Sequence, residues 1–157
     1  MQWNALKLLN EHGEFLNAAE GNEVLRIAEA EEFEFADVDH LGQVLVDQTY
    51  DQKHIEHVLG LKLVDVEAIK AAHFRVVIDA VNSVGGRVIP ALLHALGVEE
   101  IFKLHCAPHG RFSHNPEPIP ENLTEIAALV PDAKANVGFV VDPDVDRLAI
   151  VCENGEM

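Results

Sequence analysis

GFVVDPDVDR, residues 138–147, is the stretch on which the reading of this chain turns. Its first half, Gly138-Phe139-Val140-Val141, is an apolar run with β-branched and aromatic residues, the pattern of a buried strand. Its second half sets Asp142, Asp144 and Asp146 at every second position and closes on Arg147. Three carboxylates repel one another, so a fold that gathers them calls for a cation. Donors that are all oxygen suit a hard divalent ion, Mg²⁺ before Ca²⁺. On a flat strand, alternate side chains share a face but stand about 6.5–7 Å apart. Metal–oxygen bonds of about 2.0–2.1 Å for Mg²⁺ therefore require the backbone to curl. Pro143, which locks φ and offers no ladder hydrogen bond, assists that curl. The expected place is just past the carboxyl end of a central strand, where open α/β sheets carry their chemistry. The competing reading is a solvated acidic turn.

The 157 residues allow one ordinary domain, or one domain with an appendage. A composition 48% hydrophobic and 24% charged is that of a globular chain. Asp and Glu number 27 against 11 Lys and Arg, a formal charge of −16. That field disfavours nucleic acid and anionic membrane surfaces as partners. The two cysteines, Cys106 and Cys152, are far apart and form no CxxC, which fits a reduced, cytoplasmic compartment. No run of 18 apolar residues is present, and the N-terminus has no basic and apolar leader pattern.

Before the aspartates the chain reads as alternating elements. Residues 1–16 fit either a helix or a strand turning at Asn10-Glu11-His12-Gly13 and returning through Glu14-Phe15-Leu16. Asn17 has the chemistry of an N-cap for a helix over residues 18–30. The acidic residues 29–40 read as a solvated linker, and 42–46 as a short apolar piece. Two helices, 51–59 and 65–72, break at Gly60. His54 and His57 beside them lack the carboxylate that would complete a zinc motif, and read as surface residues. Residues 74–79 form a strand ending in Asp79; 82–86 a turn; 88–96 a helix stopped by Gly97; 99–104 a second strand. Together they make a βαβ unit. The Gly85-Gly86 pair is read as tight packing, with a phosphate cradle the alternative. A proline-rich loop, 106–120, carries or adjoins His105, His109 and His114. A helix over 123–129, a strand over 136–141, a strand over 148–152 and an Asn154-Gly155 turn follow. The fold class expected is α/β, with a mixed, mainly parallel sheet flanked by helices.

Three segments resemble the α-D-phosphohexomutase superfamily, the phosphoglucomutase/phosphomannomutase enzymes. Asp142-Pro143-Asp144-Val145-Asp146-Arg147 resembles the family's metal loop. Val76-Val77-Ile78-Asp79 with Asn82 and Gly86 resembles the opening of its second domain. Gln2-Trp3-Asn4-Ala5-Leu6-Lys7 resembles the segment after its phosphoserine loop, with Ala5 where Gly is usual. The resemblance implies a phosphohexomutase domain II fold over residues 41–157, preceded by the end of domain I and a linker over 1–40. It implies exchange of a phosphoryl group between the 1- and 6-positions of a hexose phosphate through a phosphoserine. It also implies Mg²⁺ on Asp142, Asp144 and Asp146, Arg147 at the phosphoryl oxygens, and Lys7 as proton carrier. It assigns neither the hexose phosphate nor an oligomeric state.

Phe112-Ser113-His114-Asn115-Pro116 tempts an assignment of Ser113 as the nucleophile, because the family's serine loop reads Thr-Ala-Ser-His-Asn-Pro. In the family that loop stands directly before the segment matched by residues 3–7. Residues 112–118 fit better a second-domain loop that runs into Pro116-Glu117-Pro118. The resemblance thus implies a piece of a longer mutase, lacking the phosphoserine, that binds a divalent ion weakly and is inactive alone. Two other readings stay open. One is a haloacid-dehalogenase-like phosphatase using Asp142 and Asp144. The other is a non-enzymatic Ca²⁺/Mg²⁺-binding module, although an EF-hand counted from Asp142 would place Arg147 where Gly is required.

Overall fold

The structure, a computed structural model, describes residues 6–157. It divides into two compact units, Met1–Val46 and Asp47–Met157. The segment 2–5 that carries part of the family resemblance lies outside the described residues.

In the first unit the hairpin alternative for the early residues is the one adopted: Leu9 bridges Phe15 in antiparallel fashion. The turn between them is organised by Asn10, whose Oδ1 accepts from the amides of His12 and Glu14 at 3.0 and 3.1 Å. Helix α1, Ala18–Glu29, begins at Asn17 with a full capping box. Asn17 accepts from Ala19 and Glu20, and the Glu20 carboxylate takes the Asn17 amide in return. Arg26 joins Glu23 and Glu32, so its guanidinium is held above, and the Glu23 carboxyl below, their ordinary ranges. After α1 the acidic run stays exposed, with only a 3₁₀ turn, Val38–His40. None of residues 6–46 is buried.

The second unit is the α/β domain anticipated. Its elements are α2 (Tyr50–Leu59), α3 (Val66–Ala71), β1 (Arg75–Asp79), α4 (Gly85–Ala95), β2 (Glu100–Leu104), α5 (Thr124–Asp132), β3 (Val137–Val141) and β4 (Leu148–Cys152). The strand order is β2-β1-β3-β4. The pairs β1–β2 and β1–β3 are parallel, and β3–β4 is antiparallel. Alternation along β1 explains the two cores. Val77 faces α5 with Leu123, Ile126, Val130, Val140 and Val151, while Val76 faces the opposite layer with Leu93 and Val98. The helices on the two faces make a three-layer α/β/α arrangement.

Helix ends follow local chemistry. Asp65 caps α3 by accepting from Ala68, and α2 stops at Gly60. Two helices run farther than sequence signals suggest. Helix α4 starts at Gly85, because the glycine pair is helical and serves close packing. A Cβ on Gly86 would lie 2.1 Å from the Cys106 carbonyl oxygen. Helix α5 continues through Pro131 to Asp132, since a proline in the final turn forfeits few intrahelical bonds. Both cysteines are free thiols.

Candidate metal centre

Strands β1 and β3 lie side by side and parallel, and both end in an aspartate or deliver one directly after. Asp79 is the last residue of β1, and Asp142 follows Val141 of β3. Here strand order reverses direction from the β1–β2 crossover, the position at which doubly wound sheets open a crevice.

Asp142 is fully buried, with no accessible surface. Its Oδ1 accepts from the amides of Asp146 and Arg147 at 3.1 and 3.0 Å, and its Oδ2 from Arg147 Nε at 3.0 Å. These bonds fold the six residues between β3 and β4 into a curled loop. Its closure is completed by the Val145 amide on the Asp142 carbonyl at 3.1 Å. The curl runs through Val145 at φ 63°, a left-handed conformation that a β-branched residue adopts at a cost of about 1–3 kcal/mol. Pro143 contributes in a second way: its carbonyl accepts the Ser83 hydroxyl at 2.6 Å, tying the loop to the turn after β1.

The curl brings the three predicted aspartates together. One carboxylate oxygen each from Asp142, Asp144 and Asp146 lies within 4.8 Å of the other two, with Asp144 and Asp146 exposed. A Mg²⁺ coordination sphere with bonds of about 2.0–2.1 Å is about 4.1 Å across, so a small contraction of the exposed pair suffices to seat the ion. The donor set is entirely oxygen and anionic, which fits Mg²⁺ and is unsuited to a soft ion. Arg147 is placed beside this group. Its side chain is half exposed; Nε lies 3.8 Å from Asp146 Oδ1, and another guanidinium nitrogen bonds Glu117. Hydrogen bonding to Glu117 first, and to Asp142 second, raises its pKa above the usual guanidinium range.

Lys7, the remaining predicted residue, belongs to the first unit, where it is exposed. Ser113 donates its hydroxyl to Asn82 Oδ1. That asparagine is 5% exposed and also reaches the Ala107 carbonyl at 3.3 Å. A cleft of about 350 Å³ beside them is lined by Asn82, Ser83, Val84, Arg87, Pro108 and Gly110. His54 and His57 are exposed. A second convergence went unread in the sequence: Asp79, His105 and His114 also bring ligand atoms within 4.8 Å of one another. The only sequence signal was the presence of histidines in or beside the 106–120 loop.

Comparison with known proteins connects this geometry to a family. Residues 52–155 match the family model described as phosphoglucomutase/phosphomannomutase, alpha/beta/alpha domain II. A Thermococcus kodakarensis phosphoglucomutase/phosphomannomutase is 32% identical over 155 residues, which are 98% of this chain and 33% of the relative. A Methanopyrus kandleri protein named "Probable phosphoglucosamine mutase" is 30% identical over 156 residues, 99% of this chain and 33% of the relative. The chain thus spans about a third of the length of the curated relatives it matches. Among solved structures, a phosphoglucomutase/phosphomannomutase family protein from Burkholderia thailandensis superposes with a TM-score of 0.71 at 27% identity, covering 90% of this chain and 29% of that one. A match across most of the α/β unit, with the sheet and helices to go with it, makes this chain a member of the phosphoglucomutase/phosphomannomutase family.

Proposed function

We propose that this chain supplies the Mg²⁺-holding α/β unit of a hexose-phosphate mutase, with residues 1–40 belonging to a preceding domain and 41–157 to the metal-loop domain. The observation that carries the reading is the convergence of Asp142, Asp144 and Asp146 within 4.8 Å on a loop of this family's second domain. Those three side chains would hold the ion. When bound, Mg²⁺ offsets negative charge on a phosphoryl group, which is most of what phosphoryl transfer asks of an enzyme.

The protein's own residues do the rest. Asp142, with its oxygens taken by two amides and Arg147 Nε, sets the curl of the loop. Arg147 braces that carboxylate and keeps a permanent cation at the rim, suited to phosphoryl oxygens. Lys7 serves as proton carrier to the sugar hydroxyl. The serine that carries the phosphoryl group is one other than Ser113, whose hydroxyl is spent on Asn82. The substrate is a hexose 1- or 6-phosphate, and the protein acts as an isomerase.

The burial of Asp142 favours this reading over a phosphatase in which Asp142 attacks phosphorus. Three donors occupy all but one of the acceptor positions of a carboxylate with no exposed surface, which leaves a position for a small ion beside Asp144 and Asp146 but no approach for a phosphoryl group. Calorimetric titration with Mg²⁺ and then Ca²⁺ tests the site. Heat is expected for Mg²⁺ with the wild-type chain and none with Asp144→Asn/Asp146→Asn; equal heats from both proteins would overturn the assignment. For the activity, residues 52–155 would replace the corresponding segment of the Thermococcus relative. The chimaera is expected to interconvert hexose phosphates, and Asp144→Asn in it to lower kcat by about 100-fold or more. The 157-residue chain alone is expected to show no turnover.

A further inference from the structure

We propose that Asp79, His105 and His114 form a second metal site, selective for a borderline divalent transition ion of the Zn²⁺ type, with a fourth position open to water. The sheet builds it. Asp79 ends β1 and stands in register with Leu104 of β2, so His105, the next residue, emerges beside it. The loop that follows returns His114 to the same point, and the first turn of α5 sets the exposed Glu125 against His105.

The separations suit one ion. His114 Nε2 is 3.1 Å and His105 Nε2 3.9 Å from Asp79 Oδ2, and His105 Nε2 is 3.0 Å from Glu125 Oε2. Ligands about 2.0–2.1 Å from a tetrahedral Zn²⁺ stand about 3.3 Å apart. Two imidazoles with one or two carboxylates make a familiar donor set for Zn²⁺ and its neighbours, unlike the all-oxygen aspartate loop.

Hydrogen bonding fixes which atoms face the centre. His114 Nδ1 lies 2.8 Å from the Asn115 carbonyl oxygen, which can only accept, so Nδ1 carries the proton. In the neutral ring Nε2 then bears a lone pair aimed at Asp79 Oδ2, and two acceptors face each other. A backbone carbonyl holding the far nitrogen is the usual support of a metal-bound histidine. Asp79 is 1% exposed, and its Oδ1 is occupied by the Val81 amide at 2.9 Å, leaving Oδ2 for the centre. A metal ion between these two acceptors would satisfy both at once. The alternative is an ordinary hydrogen bond between Asp79 and His114 with no metal, and the experiment separates the two.

The full chain, stripped with EDTA and dialysed, would be titrated with Zn²⁺, and separately with Co²⁺ as a spectroscopic probe. One tight equivalent is expected at this site, ahead of weaker uptake by the aspartate loop, with the intense visible bands of four-coordinate Co²⁺. His105→Ala/His114→Ala should weaken uptake by about 100-fold or more, since supporting partners alone are worth 10–100-fold. Asp144→Asn/Asp146→Asn should leave the Co²⁺ bands in place. No Co²⁺ bands with the wild type, or equal uptake by the histidine variant, would overturn the proposal and leave an ordinary Asp79–His114 hydrogen bond. Should the histidine variant not fold, imidazole nitrogen shifts on adding Zn²⁺ to the wild type decide. Shifts confined to His105 and His114 support the site; none there, or equal shifts at His54 and His57, refute it.

Discussion

Replacing Gly86 by Ala tests whether the contact between α4 and the loop leaving β2 is as close as described. Gly86 has no left-handed φ, so the case for glycine rests on space alone. An added Cβ would meet the Cys106 carbonyl oxygen at 2.1 Å and the Cys106 carbonyl carbon and Cα at 2.6 Å. Ordinary contact distances between such atoms are about 3.5 Å, so the Cys106 carbonyl oxygen must retreat by about 1.4 Å. Neighbouring bonds resist that retreat: the His105 carbonyl accepts the Asn82 amide at 2.6 Å, and Cys106 Sγ donates to the Leu104 carbonyl at 3.2 Å. Overpacking costs about 1–3 kcal/mol, and a backbone neighbour puts this case at the upper end. The better helix propensity of Ala returns about 1 kcal/mol, leaving a net loss of about 2 kcal/mol. Urea unfolding followed by far-ultraviolet circular dichroism should show a midpoint lower by about 1 M. Gly21→Ala, inside α1 with nothing within 4 Å of the new Cβ, is the matched control and should raise helicity. An unchanged or higher midpoint for Gly86→Ala would refute the packing argument.

Mg²⁺ at 100 times its Kd should raise the unfolding free energy of the chain by about 2.7 kcal/mol, and Asp144→Asn/Asp146→Asn should abolish the gain; a denaturant series with and without Mg²⁺ measures it. Arg147→Ala should lower Mg²⁺ affinity by loosening Asp142, with Arg147→Lys restoring little of it, because a point charge cannot reproduce the guanidinium fork; calorimetry compares the three. Asp47 accepts the Thr49 hydroxyl at 2.6 Å and the Thr49 amide at 2.7 Å, and these bonds, the hydroxyl's first, hold its carboxyl below the usual range. Its folded pKa lies below the unfolded one, so its contribution is complete above the ordinary carboxylate range and lost as pH falls through the depressed value. Protection of the amides at the start of α2, corrected for intrinsic exchange, should fall across that window, and Asp47→Asn should remove that fall.

What could be read in advance followed the range of the interactions concerned. Asn17 and Asp65 declare their helices because a cap acts within three residues. The aspartate loop is likewise local, and its spacing behind an apolar run shows it. The Leu9–Phe15 hairpin was undecided because its residues suit a helix or a strand, and a seven-residue pairing rests on the turn chemistry of Asn10 and Gly13. Val145 carried no signal at all: a β-branched residue at φ 63° is held there by the bonds to Asp142, not by its own preference. The Asp79–His105–His114 group was hidden for a different reason. Its members meet only through the β1–β2 register and the fold of a proline-rich loop, and neither leaves a short motif.

Val141 pairs with Leu148 and Gly138 with Val151, so the acidic loop is the bend of a ribbon closed at its base. Losing one residue from that bend would rotate every side chain of β4 to the opposite face and carry Val151, wholly enclosed beside α5, out into water. Any drift in loop length would therefore break the interior before it altered the spacing of the three aspartates. Evolution can retune this centre by exchanging residues, while the count of residues between the two strands is policed by the hydrophobic interior behind them.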